Sequence, residues 1–133
     1  MKKYLLYILI SFFTPPVLAE WTVASRNTSG VFYVYLAADG IQKTSESTVR
    51  YWQVLDLTKA RTDGIRSYLA LEEVDCSNKS VRTLDFASFD KSMAQGKRIT
   101  TLTETSAWRY LPPGTPGLDA LKVVCSFALP RHR

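Results

Sequence analysis

Three carboxylates fall close together in this chain: Glu72, Glu73 and Asp75. Side chains alternate on an extended segment, so Glu73 and Asp75 would point the same way. Two carboxylates on one side can do acid–base work or hold a calcium ion. A charged strand edge that discourages edge-to-edge pairing has the same pattern, and that plainer reading stands beside the chemical one. Other ingredients of catalysis are sparse. The single histidine, His132, is one residue from the end, a poor place to hold an imidazole for a triad. There is no Gly-rich phosphate loop, no His-x-x-x-His pair and no Cys-x-x-Cys. The sequence does not read as an enzyme, and it implies no cofactor or metal.

Two cysteines remain, Cys76 and Cys125. Their meaning depends on compartment. Lys2 and Lys3 precede an apolar run, YLLYILISFF, then Pro15-Pro16 and Val17-Leu18-Ala19. That is the layout of a secretory leader, and a run this short falls well below the ~20 apolar residues of a spanning helix. The expectation is a signal peptide over 1–19, cleaved after Ala19, and a single domain over 20–133 with no membrane span. An exported chain meets an oxidising compartment, where two thiols usually pair. A bridge closing a loop of about 50 residues stabilises by roughly 4 kcal/mol in the chain-entropy model. No cysteine sits near the cleavage point, so a lipid anchor is not expected.

Charge excludes one class of partner. The chain carries +5, but loss of Lys2 and Lys3 with the leader leaves 15 basic against 12 acidic residues. Nucleic-acid binding needs basic residues clustered on one face. Here Arg26, Lys43, Arg50, Lys59, Arg61 and Arg66 are scattered. Lys97-Arg98 is the only adjacent basic pair after the leader and is the candidate for a charged contact with a protein.

Most of the chain reads as strands. WTVASR (21–26) and VFYVYL (31–36) flank the turn NTSG and form a plausible hairpin. TVRYWQVLDLT (48–58) carries Val49, Tyr51, Leu55 and Leu57 on one face and Arg50, Trp52 and Val54 on the other. Neither face is purely polar, which suits a central strand covered in part on both sides. Segment 65–76 mixes helix formers with a strand-like end and is read as strand in its second half. In 81–90, alternation groups Arg82, Leu84 and Phe86 against Asp85. A loop at 91–97 and a strand at 98–103 follow.

SAWRYLPPGTPG (106–117) punctuates the end of the sheet. Pro112-Pro113 can neither donate to a ladder nor sit inside a helix. Thr115 suits an N-cap and Pro116 the first helical position. Asp119 falls in the first turn, where the helix dipole favours an acid. Leu118, Leu121, Lys122 and Cys125 share one helical face. The expectation is an extended arm, Pro112-Pro113-Gly114, with Trp108 and Tyr110 packed beneath it. A C-terminal helix follows, tied to the sheet by Cys76–Cys125. Tyr33, Tyr35 and Tyr51 could line one sheet face with Trp108 as an interface; an ordinary core with hydroxyls at its rim is the plainer alternative.

Several of these features occur in a familiar order. Trp21, Tyr33 and Tyr35, Val49 and Trp52, Asp75-Cys76 and Gly96-Lys97 come first. Ser106-x-Trp108-x-Tyr110-x-Pro112-Pro113-Gly114 and Cys125 follow. The order resembles the surface-adhesin protein E family of Gram-negative bacteria over nearly the whole exported chain. The resemblance implies an α+β fold, an antiparallel β-sheet with a C-terminal α-helix joined to it by one disulfide. It also implies binding of host matrix or serum proteins such as vitronectin and laminin, and a homodimer formed through the sheet. A periplasmic structural or inhibitor-type role with a bacterial partner is the alternative.

Overall fold

The computed structural model describes residues 21–26, 32–37 and 40–128. The expected leader (1–19), the NTSG turn and His132 lie outside the described residues.

Eight strands form one sheet: β1 (Trp21–Arg26), β2 (Phe32–Ala37), β3 (Gln42–Lys43), β4 (Thr48–Leu57), β5 (Ser67–Asp75), β6 (Ser80–Phe89), β7 (Arg98–Leu102) and β8 (Arg109–Tyr110). Their order is β1-β2-β4-β5-β6-β7, with β3 on β4 and β8 on β6. All the pairings are antiparallel. One helix, α1 (Pro116–Ala128), closes the described chain.

Segment 65–76 is strand throughout β5, from Ser67 to Asp75, and not only in its second half. Leu, Ala and Glu favour helix in isolation, but β5 is paired along its length with β4 and β6. Cross-strand packing on both sides overrides a propensity of a few tenths of a kcal/mol per residue.

The alternation expected in β6 is also broken. Thr83 pairs with Glu72 and Asp85 with Leu71, so Leu84 has no residue opposite it. This bulge resets the parity. Arg82, opposite Glu73, shares a face with Asp85, opposite Leu71, and not with Phe86, opposite Ala70.

The register defines two faces. On the first, Val49, Tyr51, Val74, Val81 and Leu36 pack against Leu118, Ala120, Leu121 and Val124 of α1. Val49, Val74 and Val124 are fully buried. The three- and four-residue spacing of Leu118, Leu121 and Val124 makes the stripe that faces the sheet. Lys122, expected on that face, is exposed. Cys76–Cys125 fastens the helix beside this core, with Cα atoms 6.0 Å apart.

On the second face the cover lies at the other end. Segment 91–97 folds back over β4 and β5. Asp56 accepts bonds from Ser92 Oγ (2.8 Å) and the Met93 amide (2.9 Å). Ser67 Oγ donates to the Lys91 carbonyl (2.6 Å) and accepts from the Ala94 amide (2.9 Å). Val54, beside Asp56, is fully buried on this side. Each face is therefore half covered, and the covers sit at opposite ends.

The Pro-Pro arm ends the sheet as expected, but a different side chain anchors it. Thr115 Oγ1 accepts from the Leu118 amide (3.4 Å) and donates to the Pro112 carbonyl (2.8 Å), joining arm to helix. Gly114 has φ of +79°, a left-handed conformation that glycine adopts without steric cost. Leu111 packs on the core, and its amide donates to the Lys79 carbonyl (2.9 Å). Trp108 and Tyr110 do not pack beneath the arm; they are 42% and 64% exposed. Strand parity explains this. Arg109 pairs with Val81 on the helix side, so its two neighbours fall to the other side of β8.

Candidate functional site

The uncovered half of the helix-side face is a trough. Beyond Tyr51 the helix no longer covers the sheet, and a cavity of about 370 Å³ opens. Leu55, Tyr68, Ala70, Phe86 and Leu102 supply its apolar wall. Tyr68 and Phe86 stack with ring centroids 5.3 Å apart. The polar part comes from Gln53, Glu72 and Thr83 on the strands, and from Glu104, Ser106 and Arg109 along the segment leading into β8.

Glu72 lies at the centre of that polar part. Its side chain belongs to a residue only 5% exposed, yet it lines the cavity. Thr83 Oγ1 donates to its carboxyl oxygens (3.0 and 3.2 Å), and Gln53 Nε2 approaches at 3.3 Å. These partners are neutral, and among the described residues Glu72 makes no ion pair. Burial raises its pKa to about 7; the Thr83 bond and the Arg109 charge offset only part of that rise. Arg109 is held nearby on Thr83 Oγ1 (3.2 Å) and Ser106 Oγ (3.4 Å). Tyr51, opposite Glu72 in register, has its phenol pushed up by burial and then by the Glu72 charge.

The uncovered half of the second face is built differently. Arg50, Glu73 and Arg82 stand in one cross-strand row. Glu73 accepts from Arg82 Nε (2.8 Å) and Nη2, and from Thr44 Oγ1 (3.2 Å), with Arg50 Nη2 at 3.5 Å. Burial would raise the Glu73 carboxyl, but the bonds from Arg82 and Thr44 and the charges of Arg82 and Arg50 outweigh it. They hold the group below the ordinary carboxylate range. The Arg82 guanidinium lies 4.7 Å from the Trp108 ring centroid, a cation–π contact.

The sequence-based candidates are distributed over both faces. Cys76 and Cys125 are joined. Of the three carboxylates, Glu72 faces the trough and Glu73 the arginine row. Asp75 accepts from the amides of Ser77 (2.9 Å) and Asn78 (3.2 Å) in the turn before β6. Glu73 and Asp75 thus share a face but have separate structural partners. Lys97 is exposed, with its amide bound to Asp90 Oδ1 (2.7 Å). Arg98, at the start of β7, lies 5.6 Å from the Phe89 ring centroid. The backbones of Tyr33 and Tyr35 pair opposite Asp56 and Val54, while Tyr51 pairs opposite Glu72. The side chains of Tyr33 and Tyr35 lie outside the described residues. At about 4.8 Å per strand, β2 and β7 are roughly 19 Å apart across the sheet.

Glu72 was visible in the sequence as one of three carboxylates, but its partners were not. Strand parity separates Glu72 from Glu73. Gln53, Thr83 and Arg109 join Glu72 only through the register of β4, β6 and β8.

The model of the surface-adhesin protein E family matches residues 21–126, which span the whole sheet and both cysteines. The chain belongs to the surface-adhesin protein E family. Among solved structures, it is similar to protein E of Haemophilus influenzae in crystal form II. Sequence identity is 18% and the TM-score 0.61, covering 82% of this chain and 92% of that one. Protein E from non-typeable Haemophilus influenzae is similar at 18% identity and a TM-score of 0.61, with 87% and 86% covered. At this identity the structural likeness speaks for the fold, and the family match carries the adhesin-type assignment. A comparison with functionally curated proteins finds no significant match. Among the described residues, no helix is long and apolar enough to cross a membrane.

Proposed function

We propose that this member of the protein E family is an exported protein-binding module. It would act as a domain over 20–133 after loss of the leader 1–19, and recognise a host matrix or serum protein such as vitronectin or laminin. Family membership supports the binding class. The observation that carries the choice of surface is the open half of the arginine-row face. Trp108 is 42% exposed and stacked over Arg82, and Tyr110 beside it is 64% exposed. Tryptophan, tyrosine and arginine are the residues most enriched among interface anchors. A tryptophan already held over an arginine loses little side-chain freedom when it is covered.

Lys97 and Arg98 are the proposed charged contacts, and Tyr33 and Tyr35, on β2 towards the opposite edge of the sheet, the proposed aromatic contacts. A homodimer, as the family resemblance implies, would use an open strand edge. Every residue of β7, Arg98 to Leu102, is exposed.

The test is saturable binding of the purified protein to immobilised vitronectin and laminin, with the double variant Trp108→Ala/Tyr110→Ala alongside. Tenfold or greater weakening in the variant is the expected result. No saturable binding to either protein overturns the host reading. Protease treatment of intact cells places the domain: digestion favours host recognition. Protection until the outer membrane is breached moves the partner to the periplasm and favours the structural or inhibitor-type alternative.

A further inference from the structure

The trough on the helix-side face contains a feature that the adhesin reading does not use. A carboxylate is 5% exposed, borders an open cavity and, among the described residues, has only neutral hydrogen-bond partners. Buried charges in folded proteins are ordinarily paired. Arg109, held on Thr83 and Ser106, makes no ion pair with Glu72, and its charge offsets only part of the effect of burial. With Glu72 ionised, the cavity wall holds two carboxylates, Glu72 and Glu104, against one guanidinium. The remaining charge is negative and sits beside a stacked Tyr68–Phe86 pair. The volume of about 370 Å³ lies at the small end of the ~300–1,000 Å³ range of small-ligand pockets.

We propose that this trough binds a small organic cation, a primary ammonium on an apolar or aromatic body, with the ammonium on Glu72 and the body against Tyr68, Phe86 and Leu102. The ammonium supplies the charge that Glu72 lacks. Its remaining donors can reach Glu104 or water at the rim. An aromatic ring favours a cation placed over its face. The proposal rests on the geometry of the trough and is independent of which protein, if any, the opposite face recognises.

Proton linkage supports it. A carboxyl that titrates near pH 7 is largely protonated at pH 6 and ionised at pH 8. Cation binding selects the ionised form and releases a proton at neutral pH. Affinity should therefore rise about tenfold from pH 6 to pH 8. Among the described residues, the other charged or titratable groups around Glu72 are Tyr51 from β4, Arg109 from β8, and Tyr68 and Glu104 on the cavity wall.

The experiment titrates the purified protein with phenethylamine, phenethyl alcohol and phenylacetate at pH 6 and pH 8. Binding is followed through the backbone amide resonances of Ala70, Phe86 and Leu102. The expected order is amine, then alcohol, then acid, with the amine about tenfold tighter at pH 8. Glu72→Gln keeps the shape and should abolish both the preference for amine and its pH dependence. Leu102→Lys places a positive charge at an exposed rim position and should weaken the amine with little risk to folding. Trp108→Ala, on the other face, should leave amine binding unchanged while weakening a protein partner. Tighter binding of phenylacetate, equal amine affinity in Glu72→Gln, or no shift at these amides overturns the proposal. If acetyl-Gly-Lys-Gly-amide binds through the same amides more tightly than phenethylamine, the trough belongs to a partner's lysine, and the free-amine assignment fails.

Discussion

Glu72 and Glu73 are neighbours on one strand, nearly equally buried, and they meet opposite circumstances. Glu73 faces a row in which Arg82 and Arg50 converge on it, and its carboxyl is held charged. Glu72 faces a trough where, among the described residues, only Thr83 and Gln53 bond to it, and burial raises its pKa to about 7 although the Arg109 charge offsets part of the rise. The side chains are chemically identical. What differs is where each face is left uncovered. The helix shields one end of one face, and segment 91–97 shields the other end of the other. A buried acid is thus left satisfied on one face and short of a counter-charge on the other.

The strongest way to break this contrast is to release the helix. Cys76→Ala should cost about 2–5 kcal/mol, because the loop it closes is long. The denaturation midpoint of the oxidised protein, compared with that of the reduced protein and the variant, measures it. The trough should lose its boundary at Tyr51, where the cover of the helix begins, while the Glu73 row, on the far face, should be the part that persists. An unchanged melting temperature under reduction would mean that the bridge contributes nothing.

Glu72→Gln sharpens the contrast through pH. The folded-state pKa of about 7 stands above the ordinary value of 4.5. Its favourable contribution is therefore full below pH 4.5 and is lost as pH rises through 7. The parent should lose up to about 3 kcal/mol over that interval relative to the variant. Urea midpoints at pH 5 and pH 8 test this: the variant should be the more stable of the two at pH 8, with the gap narrowing towards pH 5.

Glu73→Gln should behave in the opposite sense. It removes a charge that two arginines share and should cost about 2 kcal/mol at pH 7, moderated because both arginines are partly exposed. The folded pKa is depressed, so the stabilisation is present above the ordinary carboxylate range and is lost as pH falls through the folded value. The same midpoints, extended to pH 3, should show the parent and variant converging in acid. Trp108→Ala is the smallest expected change, about 0.5–1 kcal/mol from the contact with Arg82. A double-mutant cycle with Arg82→Ala isolates it.

The framework was legible in the sequence because it depends on local chemistry. Pro112-Pro113 stops a ladder, Thr115-Pro116 starts a helix, and two cysteines in an exported chain pair. Alternation in 48–58 correctly separated Val49 and Tyr51 from Arg50 and Trp52. The trough was not legible because it depends on three nonlocal facts. The bulge at Leu84 decides that Phe86, and not Asp85, joins Thr83 on the trough side. The parity of β8 aims Arg109 towards the trough and turns Trp108 and Tyr110 away from the helix side. The position of the helix over the sheet leaves Glu72 beside the cavity. Leu, Ala and Glu in 69–73 also hid the first half of β5, since their helical preference shows in isolation and their pairing does not.

The cross-link also determines how the chain would respond to force. Tension applied at the two ends passes through the Cys76–Cys125 bond and bypasses the residues between them. β6, β7 and β8 lie inside that covalent loop, and β1 to β5 lie before it. Under load, the early strands can peel while the loop stays slack, withholding about 170 Å of contour length. The arginine row and the trough both straddle this divide, so shear would part β5 from its mechanically shielded neighbour only after the outer strands had yielded.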